Sequence, residues 1–116
     1  IKKDGHYLGV PAVIDKDRLS TLLAVEMEVD ALIISTAVDA IRTDFGGPDE
    51  TVYHSLSISD AMKHMDAGEF PDGSMGPKVE SLIEAVQKVD GIKSVLCQPG
   101  DAIKALRGES GTTLVV

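Results

Sequence analysis

Residues Ala31-Leu32-Ile33-Ile34-Ser35-Thr36 form a mostly apolar run. A strand with one face in water alternates apolar and polar side chains. This run does not alternate, which predicts a strand buried on both faces, as in a parallel sheet covered by helices. Upstream, Val10–Ile14 predicts another strand. Between the two, Leu19, Leu22, Leu23 and Glu26 recur at i, i+3, i+4 and i+7, which predicts a helix from about Arg18 to Glu28. Strand, helix and strand with short connections make a βαβ unit, expected to be right-handed. Hydrophobic residues are 43% of the chain and aromatics 3%, with no Trp, so the core must be built from Val, Leu, Ile, Ala and Met.

The same alternation of elements continues to the end. Residues 1–9 read as a loop or hairpin. Phe45-Gly46-Gly47-Pro48-Asp49-Glu50 is a strong turn signal between short extended stretches, the second being Thr51-Val52-Tyr53, and predicts a projecting hairpin. A helix follows with Ser59 as its cap, carries Met62 and Met65 towards the core, and stops at Gly68. A longer helix begins with Pro77 at its first position, places Val79, Leu82, Ile83, Val86 and Val89 on one stripe, and ends at Gly91. Ile92–Cys97 is a further strand. Asp101 caps a short helix bearing Ile103 and Leu106, closed by Gly108, and Thr112–Val116 is the last strand. Alternating strands and helices in 116 residues predict one α/β domain, a three-layer α/β/α sandwich on a mainly parallel sheet.

Charge narrows the function. A formal net charge of −8 argues against nucleic acid and anionic membranes as partners. No apolar run approaches the roughly 20 residues of a membrane span, and nothing reads as a signal peptide. The single Cys97 reads as a buried reduced thiol, so a cytoplasmic location is expected. His6, His54 and His64 lack ligand-like spacing, and no metal site is expected from side chains. Asp49, Glu50, Asp66 and Glu69 read as a solvated surface. A chain opening at Ile1 leaves a fragment, a processed chain and a trimmed product all open.

Two lysines carry the chemistry. In Phe70-Pro71-Asp72-Gly73-Ser74-Met75-Gly76-Pro77-Lys78-Val79-Glu80, Lys78 falls in the first turn of a long helix. The helix dipole is already positive there, so a cation costs roughly 0.3–1 kcal/mol. Gly73 and Gly76 allow backbone N–H groups to approach a ligand closely. A lysine with a bare helix N-terminus points to a polyanion, above all a phosphate chain. Lys16 occupies the equivalent place after Val13-Ile14-Asp15, with Asp15 or Asp17 as the cap. Two such lysines suggest two sides of one anion site, with Asp17 holding the ammonium groups together. Ligands of open parallel sheets bind beyond the carboxyl ends of the strands, where Lys16, Asp17 and the stretch Thr36–Asp39 are expected. The pattern of a P-loop, a G-x-G-x-x-G fingerprint and the protein-kinase set are all missing.

Ala12-Val13-Ile14-Asp15-Lys16-Asp17, Thr36-Ala37-Val38-Asp39, Phe45-Gly46-Gly47-Pro48-Asp49, Gly73-Ser74-Met75-Gly76-Pro77-Lys78-Val79-Glu80 and Gly111-Thr112-Thr113 occur in this order. Together they resemble the carboxyl-terminal, nucleotide-binding part of carbamate kinases, in the amino acid kinase family. The resemblance implies reversible phosphoryl transfer between carbamoyl phosphate and ADP, giving ATP and carbamate, with Mg²⁺. By the same resemblance Lys16 and Lys78 contact the phosphates, Asp17 orients the lysines, and Thr36, Val38, Asp39, Met75 and Gly76 border the nucleotide. Departures from the family pattern are Ala37, Leu19 and Ile41-Arg42. The family's amino-terminal half, with its phosphate loop and most of the carbamoyl phosphate site, has no counterpart in these residues. The resemblance therefore predicts a homodimer or a pairing with a chain that supplies that half, since an open sheet edge recruits other chains.

Overall fold

The computed structural model describes residues 1–70 and 74–116; the close backbone approach expected at Gly73 lies outside the described residues. In chain order, β1 (Lys2–Lys3) and β2 (His6–Tyr7) form a small antiparallel hairpin. There follow α1 (Lys16–Glu26), β3 (Ala31–Ser35), β4 (Ile41–Thr43), β5 (Thr51–Tyr53), β6 (Ser55–Ser57), α2 (Ile58–Asp66) and α3 (Met75–Lys88). The last elements are β7 (Lys93–Cys97), α4 (Ala102–Leu106) and β8 (Thr112–Val115). Four strands make the main sheet in the order β3-β7-β8-β6, while β4 and β5 form a separate antiparallel ribbon. β3 runs parallel to β7 and β6 parallel to β8, whereas β7 and β8 are antiparallel. The sheet is thus mixed and mostly parallel.

Side-chain parity creates the layers, because successive residues of a strand point to opposite faces. Leu32, Ile34, Leu96 and Leu114 meet Ala24 of α1, Ala61 of α2, and Val79, Leu82, Ile83 and Ala85 of α3. Ile33, Val95 and Cys97 point the other way, where Ala105 of α4 packs on them. Three helices on one face and one on the other make the expected α/β/α sandwich. The two-faced apolar runs at β3 and β7 exist for this reason.

Several local expectations are corrected. Val10–Ile14 forms no strand, so the first βαβ unit does not close; Val13 and Ile14 are 100% and 70% exposed, and no strand among the described residues pairs with them. A strand needs a neighbour for its backbone groups, and periodicity cannot supply one. α1 begins at Lys16 because Asp15 is the cap, its carboxylate accepting the Asp17 and Arg18 N–H groups at 2.9 and 3.1 Å. α2 is capped by Ser57 and not Ser59, with the Ser57 hydroxyl accepting the Asp60 N–H at 3.0 Å. Met75 is the first residue of α3, so Pro77 sits third, where its missing N–H still costs no helical bond. In α4 the buried residue is Ala105, while Ile103 stays largely exposed. Met65 packs against the core but Met62 is exposed.

Gly111 is required by two independent constraints. Its φ of +71° disfavours any L side chain, and a Cβ there would run into the Leu96 carbonyl oxygen of β7. Gly111→Ala is expected to lower the free energy of unfolding by at least about 2 kcal/mol, the positive φ alone costing about 1–2. A urea midpoint equal to that of the parent chain would refute this. Asp15 gives a second test. The capping bond from the Arg18 N–H, joined by that from Asp17, holds its carboxyl below the ordinary 3.8. A depressed folded-state pKa adds stability above the ordinary value, and that stability is lost as pH falls through the folded value. The advantage of the parent over Asp15→Asn should therefore be full at about pH 6 and shrink as pH falls below the ordinary 3.8. A difference independent of pH in urea unfolding would contradict a charge-based cap.

Candidate anion and nucleotide site

Asp17 is buried in the first turn of α1, only 6% exposed, and faces α3. Its Oδ2 accepts from Lys78 Nζ at 3.0 Å, and Lys16 Nζ lies 3.2 Å from Oδ1 and 3.3 Å from Oδ2. One carboxylate thus gathers two ammonium groups from the N-terminal turns of two helices. The Lys78 side chain is 15% exposed and that of Lys16 77% exposed, so one cation is fixed in the helix interface and the other reaches out. The side-chain bond to Asp17 raises the Lys16 pKa above its ordinary value. Thr21, also buried, shares its hydroxyl between the Asp17 and Ser81 carbonyl oxygens at 3.1 and 3.2 Å. This bond ties α1 to α3 one turn behind the lysines and sets the angle at which they converge.

At the start of α3, Ser74 makes no side-chain capping bond. Amide groups of the first helical turn that lack such a cap are available to an anion. Gly76 is buried within that turn, and Lys78 follows one turn from the helix start.

The same end of α3 borders a cleft of about 510 Å³. Its wall includes Val38, Ala40, Phe45, Phe70 and Met75, with Arg42, Asp44 and Glu69 as polar members. This mixture of apolar walls and a few polar groups suits a planar heterocycle with hydrogen-bonding edges. Met75 lines the cleft and Lys78 is three residues further on, so cleft and lysine pair are joined through one turn of helix.

The hairpin wall is held at several points. The Asp44 N–H donates to Glu69 Oε2 at 2.8 Å, fastening the β4–β5 ribbon to the segment after α2. Glu69, expected on the solvated surface, is instead half-buried in the cleft wall. At the ribbon's base the buried Thr112 hydroxyl accepts the Ile41 N–H at 2.8 Å and donates to the Tyr53 carbonyl. Arg42 bonds both Asp39 oxygens at 3.0 and 3.2 Å and Glu50 at 3.4 Å. Arg42 holds the Asp39 carboxyl below its usual range.

Lys16, Asp17 and Lys78 are therefore brought together, as are Val38 and Met75 in the cleft. Thr36 sits at the end of β3, its N–H donating to the Cys97 carbonyl at 2.9 Å, outside the cleft wall. Asp39 lies in an adjoining shallow depression, with Ala37, Gln98 and Glu50. Residues that sequence reasoning did not assign to the site are Ala40, Arg42, Asp44, Glu69 and Phe70. Only Arg42, an opposite charge three residues after Asp39 around a turn, left a signal that could have found it. Cys97 is buried, and burial pushes its thiol pKa up, with the Asp101 charge adding to the shift.

The amino acid kinase family model matches residues 1–98. The carbamate kinase of Halobacterium salinarum is 42% identical over 99% of this chain, and that of Clostridium perfringens 40% identical over 99%. The chain covers 38% and 37% of those proteins, little more than a third of their length. A carbamate kinase from Giardia lamblia bound to AMP-PNP superposes with a TM-score of 0.92 at 35% identity, over 98% of this chain and 36% of that one. With a nucleotide-analogue-bound carbamate kinase sharing this backbone, and a family model spanning all but α4 and the last strand, the chain belongs to the amino acid kinase family.

Proposed function

We propose that these residues form the ATP lobe of a carbamate kinase-like phosphotransferase. The observation that carries this reading is Asp17 bonding both Lys16 and Lys78 at the N-terminal turns of two helices. In the reaction, an oxygen of the ADP β-phosphate attacks the phosphorus of carbamoyl phosphate. The bond from phosphorus to the carbamoyl oxygen breaks, its electron pair leaves with carbamate, and ATP results. Charge spreads over the moving phosphoryl oxygens in such a transition state, so positioned cations and backbone N–H groups supply most of the catalysis. Lys78, fixed in the helix interface, and Lys16, reaching outward, contact neighbouring phosphates. Asp17 acts as the positioning residue for both. Val38 and Met75 pack against the nucleoside, with Thr36, Asp39 and Gly76 at its border.

Among the described residues no group of three or more His, Cys, Asp or Glu side chains is placed to hold Mg²⁺. Asp17 is engaged with two lysines. Such an ion is held largely by nucleotide phosphates in many kinases, and no residue here is assigned to it.

The departures from the family pattern at Leu19, Ala37 and Ile41-Arg42 favour a second reading, a nucleotide-binding or assembly module without catalysis of its own. Turnover with carbamoyl phosphate separates the two readings. In either reading the chain works as part of a larger assembly, a homodimer or a pairing with a polypeptide that supplies the rest of the carbamoyl phosphate site. No helix among the described residues is long and apolar enough to cross a membrane, and we place its work in the cytoplasm.

Calorimetric titration with Mg-ADP tests the lobe. Lys16→Ala and Lys78→Ala are each expected to weaken binding about tenfold or more, about 1.4 kcal/mol. A folded parent chain that binds no nucleotide would sink the reading.

A further inference from the structure

The end of α2 turns the chain into the cleft wall. The Glu69 N–H donates to the His64 carbonyl and the Gly68 N–H to the Met65 carbonyl, each at 3.0 Å, and Gly68 takes a φ of +79°. Two such bonds around a left-handed glycine make the Schellman ending of a helix. The reversal leaves three consecutive residues, Gly68, Glu69 and Phe70, lining the cleft. It is anchored on the His64 carbonyl, and the His64 side chain adds a second hold.

The His64 ring is the middle member of a row of three. Its centroid lies 5.5 Å from that of Tyr53, with the planes tilted by 44°, and 6.5 Å from that of Phe70, with the planes at 75°. Both separations fall in the range of favourable ring contacts, and the Phe70 pair is edge-to-face. The chain has only two Phe, two Tyr and no Trp, so half of its aromatic residues meet this one histidine. Phe70 is 4% exposed and belongs to both the core and the cleft wall. At the other end Tyr53 stands in β5, with its hydroxyl 3.3 Å from Thr43 Oγ1 of β4 and its carbonyl accepting from Thr112. The row therefore runs from the ribbon, across α2, to the wall of the cleft.

We propose that His64 is a positioning residue of the nucleotide cleft: it sets Phe70 in the wall and, through Tyr53, couples occupancy of the cleft to the β4–β5 ribbon. The inference rests on the reading of this cleft as the nucleoside site. His64 is not among the residues lining the cleft, so its effect on a ligand passes through Phe70. The ribbon carries Arg42 and leads into Asp44 and Phe45, which line the same cleft. A displacement of Phe70 that reaches Tyr53 is therefore returned to the ligand from the ribbon.

The test titrates the 116-residue chain with Mg-ADP in a Tyr7→Phe background, by calorimetry and by tyrosine emission. The chain has no Trp, and Tyr7 is 84% exposed in the β1–β2 hairpin, so in this background the emission belongs to Tyr53 alone. Circular dichroism confirms that each variant is folded. His64→Ala is expected to weaken Mg-ADP about fivefold, and His64→Phe, which restores a ring, to return it to within about twofold of the parent. Phe70→Leu should also weaken binding, and adding His64→Ala to it should cost little more, because both act through one contact. Saturating nucleotide should change Tyr53 emission in the parent and leave it unchanged in His64→Ala. If His64→Ala does not fold, His64→Leu, which keeps bulk without a ring, takes its place in the same comparisons. Four results overturn the inference while the nucleotide reading stands. They are equal affinity with and without the His64 ring, no recovery in His64→Phe, losses that simply add in the double variant, and Tyr53 emission blind to nucleotide. A folded parent that binds no Mg-ADP overturns both.

Discussion

The Asp17 carboxylate is the point on which the arrangement turns. Two ammonium groups near the positive ends of two helices repel each other and are opposed by both dipoles. A single buried carboxylate between them reverses the balance, because it accepts from Lys78 at 3.0 Å and from Lys16 at 3.2 Å. The same residue begins the contact of α1 with α3, which the Thr21 hydroxyl continues one turn later. Packing of the two helices and placement of the two charges are therefore one constraint. A shift of α1 along α3 would move the cations and break the Thr21 bridge together.

The cleft depends on a different constraint, the attachment of a ribbon that belongs to another sheet. β4 and β5 share no strand with the main sheet, yet they form one wall. Thr112 from the sheet holds the base of the ribbon, and Glu69 holds its far end. Gly47 closes the turn where a Cβ would collide with the Asp44 carboxylate. That carboxylate in turn accepts the Asp49 N–H at 2.8 Å. The wall is thus shaped by side-chain bonds to backbone and not by a continuous ladder.

How legible each part was follows from the range of the interactions behind it. β3, β7 and the stripe of α3 could be read because Leu32, Ile34, Leu82 and Val95 record burial in their own periodicity. The lysine pair could be read because each member stands at a local helix start. Glu69 and Phe70 could not, since they join Val38 and Phe45 at one cleft from a segment far away in sequence and each looks like ordinary surface or core alone. Val10–Ile14 misled for the complementary reason, since β-branched composition reports a preference and the partner edge decides. The antiparallel pairing of β7 with β8 also left no trace, as strand direction is set by the chain path and not by side-chain pattern.

The placement of β8 has a kinetic consequence. Its residues lie between β7 and β6, and Thr112 bonds to Ile41 across 71 positions of sequence. Such pairings must close a long loop before any of their contacts form, and they slow folding. The hairpins and helices can form as the chain emerges from the ribosome, but the sheet stays split and the ribbon's base unfastened until β8 joins them. During that interval the edges of β7 and β6 that β8 later covers stay unpaired, open to any other strand that meets them.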